Sequence, residues 1–305
     1  MTPVATMDEE YTHEPVLLNE VIEHLVTDKD GTYLDATLGL GGHAEAVLAT
    51  ISAQGRLIGT DMDPQALAIA AERLQPFAGR FRLVRANFRN LSQTFQVELG
   101  ASGPFLTGAL FDLGVSSLQM DKASRGFAIN HEGPLDMRLD PDSPLTAERI
   151  VNEWPEEQLT LLLREYGEER QAQRIARWIV AARQDQPLRT TRDLKELIEQ
   201  RLPRTGRLHP ATKTFMALRI AVNQELENLT RGLESIAALL RPGGRIAVIS
   251  FHSLEDRIVK HVFRSFEEHG GYRIVTASPI CPSTEEAGRN PRSRSAKLRV
   301  VERNR

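Results

Sequence analysis

Over the first hundred residues, short apolar runs alternate with helical patterns, and that alternation restricts the chain more than any other feature. Thr32–Thr37 predicts a first strand and His43–Ile51 the helix after it. Arg56–Asp61 predicts a second strand, followed by a helix over Pro64–Leu74 with proline at its favoured first turn. Phe81–Ala86 and Thr107–Leu113 predict a third and a fourth strand. Strands that alternate with helices in this way form βαβ units around a parallel sheet, so the fold class is α/β.

The alternation then stops. From about Asn130 to Thr212 the pattern is helical only, with segments at Leu145–Asn152, Glu156–Tyr166, Arg170–Arg183 and Thr191–Arg201. A long helix, Lys213–Leu240, leads back to strand character in Arg245–Phe251. A helix over Leu254–Phe266 follows, then a closing antiparallel pair, Tyr272–Ala277 with Lys297–Glu302. A sheet interrupted by helices and then completed implies an inserted domain. The expected division is 1–129 and 213–305 for the sheet domain and 130–212 for a helical insert on the substrate side.

Composition excludes several classes. No apolar run approaches the roughly 20 residues of a membrane span. The acidic start, MTPVATMDEEYTHE, lacks the cationic and apolar parts of a secretory signal, so a cytoplasmic location is expected. Cys281 is the only cysteine, which leaves no internal disulfide and no multi-cysteine zinc site. The net charge of −3 conceals a basic tail: seven basic residues from Arg289 to Arg305 face one acid, Glu302. Basic side chains also outnumber acids between Arg164 and Arg219. An acidic body with basic patches fits a nucleic-acid partner, and a solvated charged face would look the same.

The segment Asp35-Ala-Thr-Leu-Gly-Leu-Gly-Gly-His43 joins the first strand to the first helix. Glycines there let a ligand approach the backbone, and the helix start presents free N–H groups. Asp61 ends the second strand, where a carboxylate can accept both ribose hydroxyls of an adenosine. NAD and S-adenosylmethionine both suit this pair, and a purely structural turn is the plain alternative. The spacing departs from G-x-G-x-x-G, and Asp35 stands where an ammonium or its water shell is held, so S-adenosylmethionine is favoured. Phe88 could pack on an adenine or simply fill the core. Asp112, at the end of the fourth strand, is placed for chemistry or for helix capping, and Gln119 follows seven residues on.

With these residues in place, the chain resembles the bacterial small-subunit ribosomal RNA cytosine-N4 methyltransferases, the RsmH (MraW) family. The resemblance begins at His13-Glu14-Pro15-Val16-Leu17-Leu18 and runs through LGLGGH (38–43), DLGVSS (112–117), RGF (125–127) and GPLDMRLD (133–140). It continues in YGEER (166–170), HPATKTFMALRIAVN (209–223), PGGRIAVISFHSLEDRIVK (242–260) and NPRSRSAKLR (290–299). It implies a class I, Rossmann-like methyltransferase sheet with a helical insertion. The implied reaction carries a methyl group from S-adenosylmethionine to N4 of a cytidine in 16S ribosomal RNA. The implied cofactor contacts fall on Gly41, Gly42, His43, Asp61, Phe88, Asp112 and Gln119. The linker before Asn290 is shorter than in some relatives, which leaves RNA contacts near Cys281–Arg289 undecided.

The N4 lone pair is conjugated into the cytosine ring, so positioning and acceptors on its N–H groups should supply much of the acceleration. The base must be unpaired or flipped out to be reached. DNA amino-methyltransferases place a Pro-Pro-aromatic loop after the fourth strand, whereas this chain has Asp112-Leu-Gly-Val-Ser-Ser. Candidate acceptors are therefore Asp112, Ser116, Ser117, Asp136 and His252, with Arg138 as a substrate contact. Asp136 and Arg138 could equally be surface charges, and His252 could merely adjoin a helix start capped by Ser253 with Asp256. Arg292, Arg294 and Lys297 are the proposed phosphate contacts. No histidine and carboxylate set has ligand spacing beyond chance, and no metal is expected. An assembled or nearly assembled small subunit is the expected partner. Methylation at another base or ribose position, an NAD(P)-linked oxidoreductase, and a non-catalytic RNA-binding factor remain alternatives.

Overall fold

The computed structural model describes residues 14–101, 103–204 and 209–305. Its chain divides into two compact units, Met1–Gly114 with Leu229–Arg305, and Val115–Asn228. The His13 end of the first motif lies outside the described residues.

The first unit holds a seven-stranded sheet of β1 (Thr32–Asp35), β2 (Arg56–Asp61), β3 (Phe81–Arg85), β4 (Leu106–Asp112), β5 (Leu240–Ser250), β6 (Tyr272–Ile274) and β7 (Lys297–Arg303). The spatial order is β3-β2-β1-β4-β5-β7-β6. Strands β1 to β5 are parallel, and β7 runs antiparallel between β5 and β6. The order reverses between β1 and β4, the place where open α/β sheets bind ligands at their carboxyl ends.

Period-two alternation loads both faces. Tyr33, Leu57, Leu110 and Ala247 belong to one buried cluster, while their neighbours Leu34, Ile58, Phe111 and Val248 belong to the other. Helices Leu18–Leu25 and Gly42–Thr50 cover the first face with Val21, Leu25, Val47 and Leu48. Leu91, Phe95, Val259 and Phe263 cover the second. The helix Pro64–Arg73 starts where expected because the Asp63 side chain accepts from Gln65 N–H (2.9 Å) and Pro64 stands at its first turn.

The expected long helix Lys213–Leu240 is two helices, Thr212–Asn223 and Glu225–Ala237. Gln224 between them is left-handed, with φ 50° and ψ 37°. Apolar periodicity continues through the break, so it leaves no trace in the pattern. Strand β5 begins at Leu240 rather than Arg245, because a bulge opposite Leu106–Gly108 absorbs the Pro242-Gly243-Gly244 turn.

The second unit is helical around one core that includes Phe127, Met137, Ile150, Leu163, Ile175, Ile198, Phe215 and Leu218. It is wider than the expected 130–212, because Phe127 before that span and Phe215 after it are buried in the same cluster. The helix Thr191–Glu199 carries a capping box in which Thr190 and Asp193 satisfy each other's backbone N–H groups.

Candidate active site

The turn after β1 is fixed by its own backbone. Leu38 N–H donates to Thr60 O (2.9 Å), and Gly41 N–H donates to Leu38 O (2.8 Å). Gly41 has φ 80°, which a side chain would strain. A Cβ on Gly42 would lie 2.6 Å from Pro15 Cγ, so the terminal Glu14–Leu17 segment packs on the start of the helix Gly42–Thr50. That contact gives the proline of the first motif a structural purpose which the sequence did not reveal. Glu286 Oε1 accepts from Leu17 N–H (2.8 Å), and Asn290 Nδ2 donates to Glu14 O (3.3 Å). The short linker of undecided function thus clasps this segment.

Asp61 accepts from Gly39 N–H on one oxygen and from Asp63 N–H on the other, each at 2.9 Å. Each oxygen keeps a lone pair for a ribose hydroxyl. Burial pushes its carboxyl up, and these two backbone donors pull against that rise. Asp35 is buried, and its Oδ1 accepts from Thr37 N–H (3.2 Å). Burial pushes Asp35 up to about 7, with Asp112 and Asp61 adding to the rise and His43 opposing it.

His43 opens the helix and is 5% exposed. Its Nε2 lies 3.5 Å from Asp112 Oδ2, an ion-pair distance that leaves both ring nitrogens outside hydrogen-bond geometry. Burial works against the imidazolium, yet Asp112 and then Asp35 outweigh it and raise His43. Thr37, which the sequence reading passed over, bridges the corner: its Oγ1 accepts from Asp112 N–H at 2.6 Å. Phe88 follows β3 and meets Phe111 edge to face, with centroids 5.6 Å apart. Gly41, Gly42, His43, Asp61 and Asp112 therefore gather at the carboxyl ends of β1, β2 and β4. The buried polar atoms without partners there fit a ligand carrying an ammonium and hydroxyls, as S-adenosylmethionine does.

Other candidates have structural occupations. His252 is itself the N-cap of the helix Ser253–Glu268: Nδ1 accepts from Glu255 N–H (3.4 Å). Glu255 Oε2 accepts in return from Phe251 N–H (2.8 Å) and His252 N–H (3.2 Å). The expected Ser253–Asp256 start signal is displaced by one residue. Asp256 instead binds Lys297 (3.1 Å) and Arg299 (2.6 Å), so Lys297 is engaged in a structural ion pair. Arg292 and Arg294 are exposed on the turn Pro291–Ser295. That turn precedes Lys297, which pairs with Ser250 at the carboxyl end of β5.

In the second unit, Gln119 is buried and forms a capping box with Ser116, its Oε1 accepting from Ser116 N–H (2.9 Å). The Ser117 side chain lies outside the described part. Asp136 and Arg138 form a bidentate pair at 2.8 and 2.7 Å, and Arg138 Nη1 donates to Pro141 O and Ser143 O. Gly126, at φ 70°, fits because a Cβ there would fall 2.0 Å from Pro134 O. Arg125 Nη2 donates to Arg138 O (2.9 Å). RGF and GPLDMR are thus two halves of one self-braced loop, which accounts for its polarity without a substrate.

Among the described residues no helix is long and apolar enough to cross a membrane. The chain is 49% identical to a ribosomal RNA small subunit methyltransferase H of Heliobacterium mobile, over 96% of this chain and 99% of that one. It is 48% identical to the protein of that name from Symbiobacterium thermophilum, over 95% and 96% of the two chains. The protein of that name from Citrifermentans bemidjiense is 46% identical, over 97% and 99%. The MraW methylase family matches residues 10–304. Nearly the whole chain is covered by that match, including the strand-end corner of Asp35, His43, Asp61 and Asp112, and the chain belongs to the MraW methylase family.

Proposed function

We infer that this protein transfers a methyl group from S-adenosylmethionine to the exocyclic N4 of a cytidine in 16S ribosomal RNA. The observation that carries the reading is the near-complete match, at 46–49% identity, to proteins named ribosomal RNA small subunit methyltransferase H. The strand-end corner supports it with acceptors for a cationic adenosine ligand.

In this reading Gly41 and Gly42 let the cofactor approach the backbone, and Asp61 accepts its ribose hydroxyls. Phe88 lies against the adenine, while His43 and Asp112 complete the contacts. The cofactor supplies an electrophilic methyl group on a sulfonium. Asp112, at the open end of β4, accepts an N–H of the amine, which turns the nitrogen lone pair out of conjugation and toward the methyl carbon. Its side chain is 28% exposed, enough to meet a substrate. His252, held by its cap to Glu255, keeps a place at the carboxyl end of β5 for contact with the base. Asp136 and Arg138 serve by shaping their loop. The helical unit is the RNA-recognition part, Arg292 and Arg294 meet phosphates, and an assembled or nearly assembled small subunit in the cytoplasm is the substrate.

The test incubates methyl-labelled cofactor with unmodified 16S RNA and with small subunits, then digests the product to nucleosides. Label on N4-methylcytidine is expected, with more from subunits than from free RNA. Label at a ribose or at cytosine C5 overturns the substrate assignment.

A further inference from the structure

Three buried polar atoms in one corner of the first unit have no hydrogen-bond partner: His43 Nδ1, His43 Nε2 and Asp112 Oδ1. Interiors pair such atoms almost always, so three together call for a physical reason. The imidazole is faced by Asp35 from β1, by Asp112 from β4 and by Glu286 from the helix Thr284–Arg289. Asp35 in turn is faced by His43, Asp112 and Asp61 of β2. Carboxylates from two strand ends and one helix thus face a single imidazole. Thr37 locks two of them together, its N–H donating to Asp35 and its hydroxyl oxygen accepting from Asp112 N–H. The helix N-terminus beneath His43 opposes a positive imidazole, and the carboxylates favour it.

We propose that Asp35 and His43 form a buried proton store behind Asp112, which releases a proton when the cationic methyl donor binds and takes up the proton that leaves the substrate amine. The proposal rests on the cofactor reading above and adds the destination of the proton. As the N4–carbon bond forms, the carbon–sulfur bond breaks and its electron pair returns to sulfur. The nitrogen, now carrying four bonds, loses one proton to the Asp112 carboxylate. His43 Nε2, 3.5 Å from Asp112 Oδ2, is the next acceptor for that proton. Discharge of the sulfonium removes the positive charge that kept the store empty, so its proton affinity rises as the proton appears. Burial that pushes Asp35 up to about 7 makes this proton exchangeable near neutral pH. Asp35 is a positioning residue in this scheme, acting through His43 and Asp112.

Binding, rather than turnover, tests it. Calorimetric titrations at pH 7 in buffers of different ionisation enthalpy count the protons released by S-adenosylmethionine and by S-adenosylhomocysteine, which lacks the sulfonium charge. A larger release with S-adenosylmethionine is expected. Asp35→Asn, which keeps the shape of the side chain, should shrink the difference, and His43→Asn should do the same. Equal proton counts for the two ligands in the unaltered protein overturn the proposal alone. Binding of neither ligand overturns it together with the cofactor reading.

Discussion

Two charged clusters invite comparison, the His43–Asp112–Asp35 corner of the sheet unit and the Asp136–Arg138 loop of the helical unit. In the loop both Asp136 carboxylate oxygens and all three Arg138 guanidinium nitrogens have a partner in the same segment. In the corner, by contrast, buried ring nitrogens and a carboxylate oxygen have none. Both stood out in sequence as charged residues in loops. Saturation separates them: a fully paired ion cluster stabilises its own loop, whereas unpaired buried acceptors are retained for something that arrives later.

The sharpest way to break this contrast is at Asp112. Asp112→Asn should lower the methyl-transfer rate by about 100-fold or more, as loss of a positioned proton acceptor does. The denaturation midpoint should barely move, and single-turnover assays beside thermal melts check both. The loop should behave in the opposite way. Gly126→Ala puts a Cβ 2.0 Å from Pro134 O at positive φ, so it should destabilise the protein by about 3 kcal/mol in denaturant titrations. An unchanged midpoint would mean the loop relaxes freely.

Next come two acids with opposite pH behaviour. Asp136 is lowered: burial opposes its charge, but hydrogen bonds from Arg138 side chain and backbone prevail. Its contribution is complete above the ordinary carboxylate value of about 4 and is lost as pH falls through the lowered value. Asp136→Asn should cost about 2 kcal/mol at neutral pH and flatten the acid limb. Asp35, raised to about 7 by burial, binds its proton more tightly folded than unfolded. Stability without cofactor should therefore fall as pH rises between about 4 and 7, and Asp35→Asn should remove that slope. Melts across pH decide both signs. The smallest effect is expected at the basic turn, where Arg292→Ala with Arg294→Ala should reduce the salt slope of RNA binding by about 1 and leave cofactor binding intact. An identical slope would assign these arginines to the solvated surface.

Much of the sheet was legible because several strands are short, apolar and bounded by turn residues, as Arg56–Asp61 shows by matching its expected limits. The break at Gln224 was not, since a single left-handed residue does not interrupt an apolar period. The corner was half legible. Asp35, His43, Asp61 and Asp112 stood out as residue types beside glycines, but Thr37 and Pro15 act through a hydroxyl and a ring contact that spacing does not encode.

The amino-acid sequence by itself determined the α/β class, the interruption by helices and the family, because periodicity and long ordered motifs are properties of the chain read in one dimension. Only the tertiary structure decided which charges are spent on each other. Pairing depends on side chains far apart in the chain, such as Asp256 with Arg299 or His43 with Asp112, meeting at distances of 2.6 and 3.5 Å.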